Sequence, residues 1–170
     1  MWEFVVRFVH TFAAIYWFGS VMFVNAVVGP ALLRCDPATQ SEAGDRIARQ
    51  AVRITRPFAL TTIVLGVVLG TVFGPIKRWN DLVGAPYGIY YVVALVLSIA
   101  VYLIGQLFTA RAALSVAGTP EAERALAVRR VIVLSGIELA GFVAILACMV
   151  LMHFAEERAT SALALATAVV

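Results

Sequence analysis

A few ionisable side chains stand inside long apolar runs of this sequence, and they are its main candidates for chemistry. His10 lies in the first apolar run, with Arg7 three residues before it and Trp17 seven residues after it. Glu138 and His153 lie in the last long run. Because polar groups are costly inside a bilayer, each of these residues is a candidate functional residue. The two histidines are also potential axial ligands of a haem iron.

The residues around His10 are compatible with a flat cofactor that has acidic substituents. Ala13 and Ala14 leave space beside the imidazole on the same face of a helix. The Arg7 guanidinium would neutralise haem propionates, and Trp17 would pack beside the macrocycle. The alternative is a packed histidine that is bonded to a carbonyl or hydroxyl group of a neighbouring helix.

His153 is the other available imidazole. If both chain ends lie on one side of the membrane, the depths of His10 and His153 differ by roughly 7–9 Å at 1.5 Å per residue. Ligation of one iron by both therefore requires a tilted helix, and the alternative is a solvated histidine at the lipid–water interface. Together with His153, the thioethers of Met149 and Met152 would instead suit Cu(I), although methionine is also ordinary apolar filling.

Three further polar residues within the apolar runs have structural or functional interpretations. Glu138 is a proton-relay position, a protonated and hydrogen-bonded acid, or a partner in an ion pair with Arg53 or Arg56. Asn25 and Gln106 are predicted to bond across helices and fix their packing. The sequence contains no nucleotide-binding glycine loop, Ser/His/Asp set or paired-carboxylate motif, so chemistry without a cofactor is not indicated.

Glycines recur every four residues in the second apolar run, at Gly66, Gly70 and Gly74. This spacing places them on one helix face, where a neighbouring helix can approach closely. Ordinary helix packing is one interpretation of this face. The others are room for a flat cofactor and a contact with another chain.

Membrane helices are the elements that must position these residues. The chain is 62% hydrophobic and 14% charged, whereas a soluble domain is roughly 45–50% apolar and about 25% charged. A membrane-spanning helix needs about 20 mostly apolar residues, and four runs meet this length: 4–33, 58–76, 87–110 and 131–154. We predict an all-α integral membrane four-helix bundle with up-down topology, in which residues 1–170 form a single transmembrane domain.

The loops predict the orientation of the bundle. The loops after the first and third runs carry nine arginines, and the other side carries four basic residues. The positive-inside rule therefore places these two loops in the cytoplasm and both termini outside, in a bacterial-type inner membrane. An amphipathic helix is predicted at 41–55, with Ser41 as its N-cap and Pro57 at its junction with the second span. The apolar stretch at 159–170 is too short to cross and is predicted to be a frayed or surface-lying tail.

The first run also resembles the opening helix of the CopD-like membrane proteins, which include copper-resistance D domains and HemJ-type protoporphyrinogen oxidases. The resemblance rests on His10, Trp17, Gly19 and Pro30 at their present spacing. It implies that His10 binds b-type haem. The HemJ-type relatives also carry a functional lysine near the start of the third span, where this chain has none, and this departure argues against oxidase activity.

Three hypotheses follow for the function. The first is a haem b-binding protein that works in electron transfer, as a small subunit of a larger membrane redox complex. The second is a non-catalytic structural subunit, and the third is a copper or proton transport element. The expected partners are the lipid bilayer and either other membrane subunits or further copies of this chain. Nucleic acid is not expected, because the basic residues sit in the loops between the apolar runs.

Overall fold

A computed structural model describes the backbone of residues 1–116 and 118–168, and every element in these ranges is a helix. Seven of these elements are α-helices: α1 (Trp2–Phe23), α2 (Gly29–Leu32), α3 (Pro37–Val68), α4 (Trp79–Val83), α5 (Pro86–Ile104), α6 (Ala110–Val116) and α7 (Glu121–Ala168).

Four helical stretches of the described chain are long and apolar enough to cross a membrane. We call them spans 1 to 4: Trp2–Leu32, Ala38–Phe73, Pro86–Val116 and Ala122–Ala155. The all-α class is therefore confirmed, as is the number of helices long and apolar enough to span a membrane within the described residues. The predicted tail at 159–170 falls partly outside the described residues: α7 remains helical to Ala168, and residues 169–170 are not described.

Three of the spans contain one π-helical turn each, at Val24–Val28, Leu69–Phe73 and Gly105–Thr109. A π turn bonds residue i to residue i+5 and so takes in one more residue than an α turn. It rotates the following side chains relative to the preceding ones, and such turns are frequent at functional sites.

Helix α3 begins earlier than the sequence predicts and runs through its proline. The Asp36 side chain accepts hydrogen bonds from the backbone N–H groups of Ala38 and Thr39, at 3.1 and 3.0 Å. Asp36 is therefore the N-cap, and the prediction of Ser41 is wrong. Pro57 lies inside this continuous helix rather than at a junction. A proline lacks only one backbone donor, so the helix continues through it with that one hydrogen bond missing.

Side chains from neighbouring spans show which parts of the helices meet. Phe12, near the start of span 1, lies edge-on to Phe58 of span 2, with 6.3 Å between the ring centroids. In spans 3 and 4, a Cβ added to Gly141 would overlap a methyl group of Val101. The missing side chain therefore allows these two helices to approach closely.

A layer of four buried side chains, one from each span, forms the core cluster of the bundle. Its members are Trp17, Ala59, Val101 and Phe142. The Trp17 ring meets the Phe142 ring edge-on, with 4.8 Å between centroids and 80° between the planes. Edge-to-face packing is the favoured geometry for two aromatic rings. The layer therefore fixes the relative position of all four spans.

The cap at Asp36 gives a prediction for the start of α3. Hydrogen bonds from the Thr39 hydroxyl group and from backbone N–H groups hold the pKa of Asp36 below its ordinary value of 3.8. Its stabilising contribution is thus present above pH 3.8 and is lost as the pH falls through the lowered pKa. Asp36→Ala should accelerate hydrogen exchange at the Ala38 and Thr39 amides at pH 7, since both lose their acceptor.

Asp36→Asn is the matched control, because its side-chain oxygen still accepts these hydrogen bonds. Exchange in this variant should stay close to that of the wild-type protein at pH 7. Equal acceleration in both variants would contradict a capping role for the side chain.

Candidate functional site

His10 is bonded to the neighbouring helix by one of its two ring nitrogens. Its Nδ1 lies 2.9 Å from the carbonyl oxygen of Thr62 in span 2. A carbonyl can only accept, so Nδ1 carries the proton and donates it. Nε2 then holds the lone pair, and no hydrogen bond to it occurs within the described residues. This is the arrangement in which a histidine serves as a metal ligand, with the second ring nitrogen held by a carbonyl group.

The glycine face of span 2, at Gly66 and Gly70, contacts a ring from span 1 and a ring from span 3. A Cβ added to Gly66 would stand 3.2 Å from Cε1 of His10. One turn further, a Cβ at Gly70 would overlap the ring of Tyr91 from span 3 and lie 2.9 Å from its hydroxyl oxygen. These two glycines therefore make room for side chains of the neighbouring spans, in agreement with the packing interpretation.

Tyr91 contributes a polar atom that the sequence analysis missed. Its hydroxyl oxygen is buried and has no hydrogen-bond partner among the described residues. A buried polar group without a partner is costly, so this atom is a site where an added ligand or water would be stabilised. Its only signal in the sequence is a tyrosine within an apolar run, and this is also ordinary core filling.

The structure does not bring the other predicted haem residues into one contact group with His10. Arg7 forms an exposed ion pair of 2.9 Å with Glu3, one turn before it. Trp17 belongs to the core layer, two turns from His10. The His153 side chain is 71% exposed, and its Nε2 lies 3.1 Å from Oε1 of Glu157.

The relative heights of the two histidines follow from the contact between Trp17 and Phe142. Measured along the helices from that contact, His153 lies about four residues further than His10, or roughly 6 Å. No contact within the described residues joins the two imidazoles.

The predicted copper ligands Met149, Met152 and His153 lie on one helix. Met149 is 40% exposed, Met152 is half-buried, and Cys148, one turn before Met152 on the same helix, is buried. Within the described residues, no group of three or more His, Cys, Asp or Glu side chains is placed to hold a metal ion. The copper hypothesis therefore gains no support from the geometry.

A cavity of about 440 Å³ opens between the four spans, on the other side of the core layer from His10. Trp17 and Val101 line it at the layer, and two of the three π turns form parts of its wall. The predicted packing residues Asn25 and Gln106 line it as well. Asn25 donates to the carbonyl oxygen of Val21, 2.8 Å away in its own helix, rather than across helices.

Glu138 is the buried acid of this cavity and is 6% exposed. The hydroxyl group of Thr109 in span 3 donates a hydrogen bond to its Oε1. Oε2 would lie 3.2 Å from a Cβ at Gly105, so the missing side chain leaves room for the carboxyl group. Arg53 and Arg56 form no ion pair with Glu138, and the predicted pairing with them is wrong. Thr109 can serve instead because the π turn at Gly105–Thr109 directs it towards span 4.

Comparison of the chain with family models, with curated proteins and with solved structures gives no match. The resemblance to the CopD-like proteins therefore stays a prediction.

The glycine face gives a prediction about packing. Gly70→Ala should lower the thermal unfolding temperature in detergent, because the added methyl group would overlap the Tyr91 ring. Overpacking of this kind costs roughly 1–3 kcal/mol. Gly136→Ala is the control, since nothing lies within 4 Å of its added Cβ. It should leave the unfolding temperature unchanged or raise it slightly. Equal unfolding temperatures for the two variants would contradict a close contact at Gly70.

Proposed function

We propose that this chain is a haem b-binding membrane protein that works in electron transfer, with His10 as an axial ligand of the iron. The observation that carries the proposal is the bonding of His10, whose Nδ1 is held by the Thr62 carbonyl while Nε2 has no hydrogen bond within the described residues. A haem would supply one-electron chemistry, and the axial ligand and its hydrogen bond would tune the reduction potential of the iron.

The fit of the neighbouring residues to a haem is partial. The hydroxyl group of Tyr91 lies at Gly70, one helical turn from Gly66, where His10 lies. It has no partner within the described residues and would offer a hydrogen bond to a bound group. Arg7 is exposed and lies one turn from His10. It would bind a haem propionate if its ion pair with Glu3 were broken. His153 shares no contact with these residues, and we assign it no ligand role.

The arrangement in the membrane belongs to the same proposal. We infer an up-down bundle in a bacterial-type inner membrane, with the arginine-rich loops in the cytoplasm and both termini outside. The apolar outer faces would contact lipid and, in a redox complex, other membrane subunits.

His10→Ala should remove the haem from the purified protein. The wild-type chain, expressed with haem supplied and purified in detergent, should show a Soret band that sharpens when dithionite is added. His10→Ala should lose this band, because it loses the only proposed histidine ligand. Absorption spectra of the oxidised and reduced proteins are the measurement.

His153→Ala is the matched control, since it removes the other histidine. It should keep the Soret band, and loss of the band in both variants would instead identify His153 as a second ligand. A colourless wild-type protein would overturn the proposal and leave the structural-subunit hypothesis in its place.

A further inference from the structure

The cavity around Glu138 has the size and the lining of a small-molecule site. Its volume of about 440 Å³ falls within the range of roughly 300–1,000 Å³ that is typical of such sites. Most of its wall is aliphatic, with residues such as Val21, Val24 and Ile132. A molecule that fills it therefore needs a largely apolar body, which the bilayer can deliver.

One group of polar residues in the cavity lies around the acid, and others, such as Asn25 and Asp45, line it from spans 1 and 2. Thr109 is bonded to Glu138, Gly105 and Gln106 belong to the same π turn as Thr109, and Ser135 precedes Glu138 by one turn. Oε2 of Glu138 has no hydrogen-bond partner within the described residues. A ligand with a hydrogen-bonding oxygen at one end would therefore complete the bonding of this carboxyl group.

The charges of the lining select against other membrane molecules. Among the described residues that line it, Asp45 and Glu138 are the only charged ones, and none is basic. An anionic phospholipid headgroup would thus meet the carboxyl group of Glu138, which has no ion pair within the described residues. Asp45 is already paired with Arg49. Arg49 would repel a lipophilic cation that enters beside Asp45, whereas it would not repel a neutral molecule.

We propose that this cavity binds a lipid-soluble quinone or quinol, with one ring oxygen bonded to the carboxyl group of Glu138. A quinol hydroxyl group would donate a hydrogen bond to Oε2 of the carboxylate. A quinone oxygen would accept a hydrogen bond from the protonated carboxyl group. The aliphatic wall would hold the ring and the first part of the isoprenoid tail. The site does not rest on the haem, because His10 does not line the cavity.

The three tryptophans of the chain make the test specific. Trp17 lines the cavity, whereas Trp2 and Trp79 are 76% and 77% exposed. In a variant with Trp2→Phe and Trp79→Phe, the emission of Trp17 should be quenched by decylubiquinone in a saturable way. A variant that keeps only Trp79 should show the linear quenching of non-specific partition. The same saturation should occur in a His10→Ala background, so this test succeeds or fails independently of the haem proposal.

Substitutions in the full-length Trp17-only protein should locate the ring oxygen. Glu138→Ala should weaken decylubiquinone binding about tenfold, as expected for the loss of one buried hydrogen bond to an acid. Glu138→Gln keeps a donor and an acceptor and should bind within threefold of the parent. Gly136→Ala, on the same helix with open space at its Cβ, should not change the affinity. Circular dichroism melts would establish that each variant is folded.

Three results would overturn the proposal. The first is quenching without saturation in the Trp17-only protein. The second is equal affinity in the parent and in both Glu138 variants. The third is a Trp17 emission that responds in a saturable, Glu138-dependent way to tetraphenylphosphonium but not to decylubiquinone. That result would make the occupant a lipophilic cation.

Discussion

One layer of side chains sets the geometry of the bundle. Trp17, Ala59, Val101 and Phe142 come from four different spans and bury one another. In a membrane the surrounding lipid is as apolar as these residues, so close packing rather than the hydrophobic effect must hold the helices together. Small residues make that packing possible, because Ala59 is 1% exposed and Gly141 lets Val101 approach its helix. The layer divides the interior into two parts with different chemistry.

The two parts differ in packing: one is filled by side chains, and the other contains a cavity. On the His10 side, the glycine face of span 2 is filled by rings, so polar atoms are held tightly between helices. On the Glu138 side, the π turns at Val24–Val28 and Gly105–Thr109 stand beside a cavity. On the His10 side, the buried hydroxyl group of Tyr91 has no protein partner within the described residues. On the Glu138 side, the printed hydrogen bond of the acid goes to its Oε1, and Oε2 faces the cavity wall at Gly105. Buried polar groups without a partner are uncommon in folded proteins.

The sequence predicts the coarse fold well and the site contacts only in part. The four spans follow from composition and length, because a bilayer imposes both. A histidine bonded to a carbonyl of a neighbouring helix was one of two interpretations of His10, and that contact is present. The partner of Glu138 could not be predicted, since an extra residue in the π turn rotates Thr109 away from the face that a regular helical period gives it. The cap at Asp36 could not be predicted from apolar spacing, because the first apolar residue of the helical pattern is Ala43, seven residues later.

The continuity of α3 through Pro57 has a mechanical consequence. One rod of 32 residues, about 48 Å long, carries Asp45 and Thr55 on the wall of the cavity and Thr62 at the imidazole of His10. The cavity and the His10 contact thus share one helix, and Pro57, where a backbone hydrogen bond is missing, lies between them. A tilt of the part of α3 before Pro57, imposed by an occupant of the cavity or by the membrane surface, would either bend the helix at Pro57 or move the Thr62 carbonyl group that holds His10.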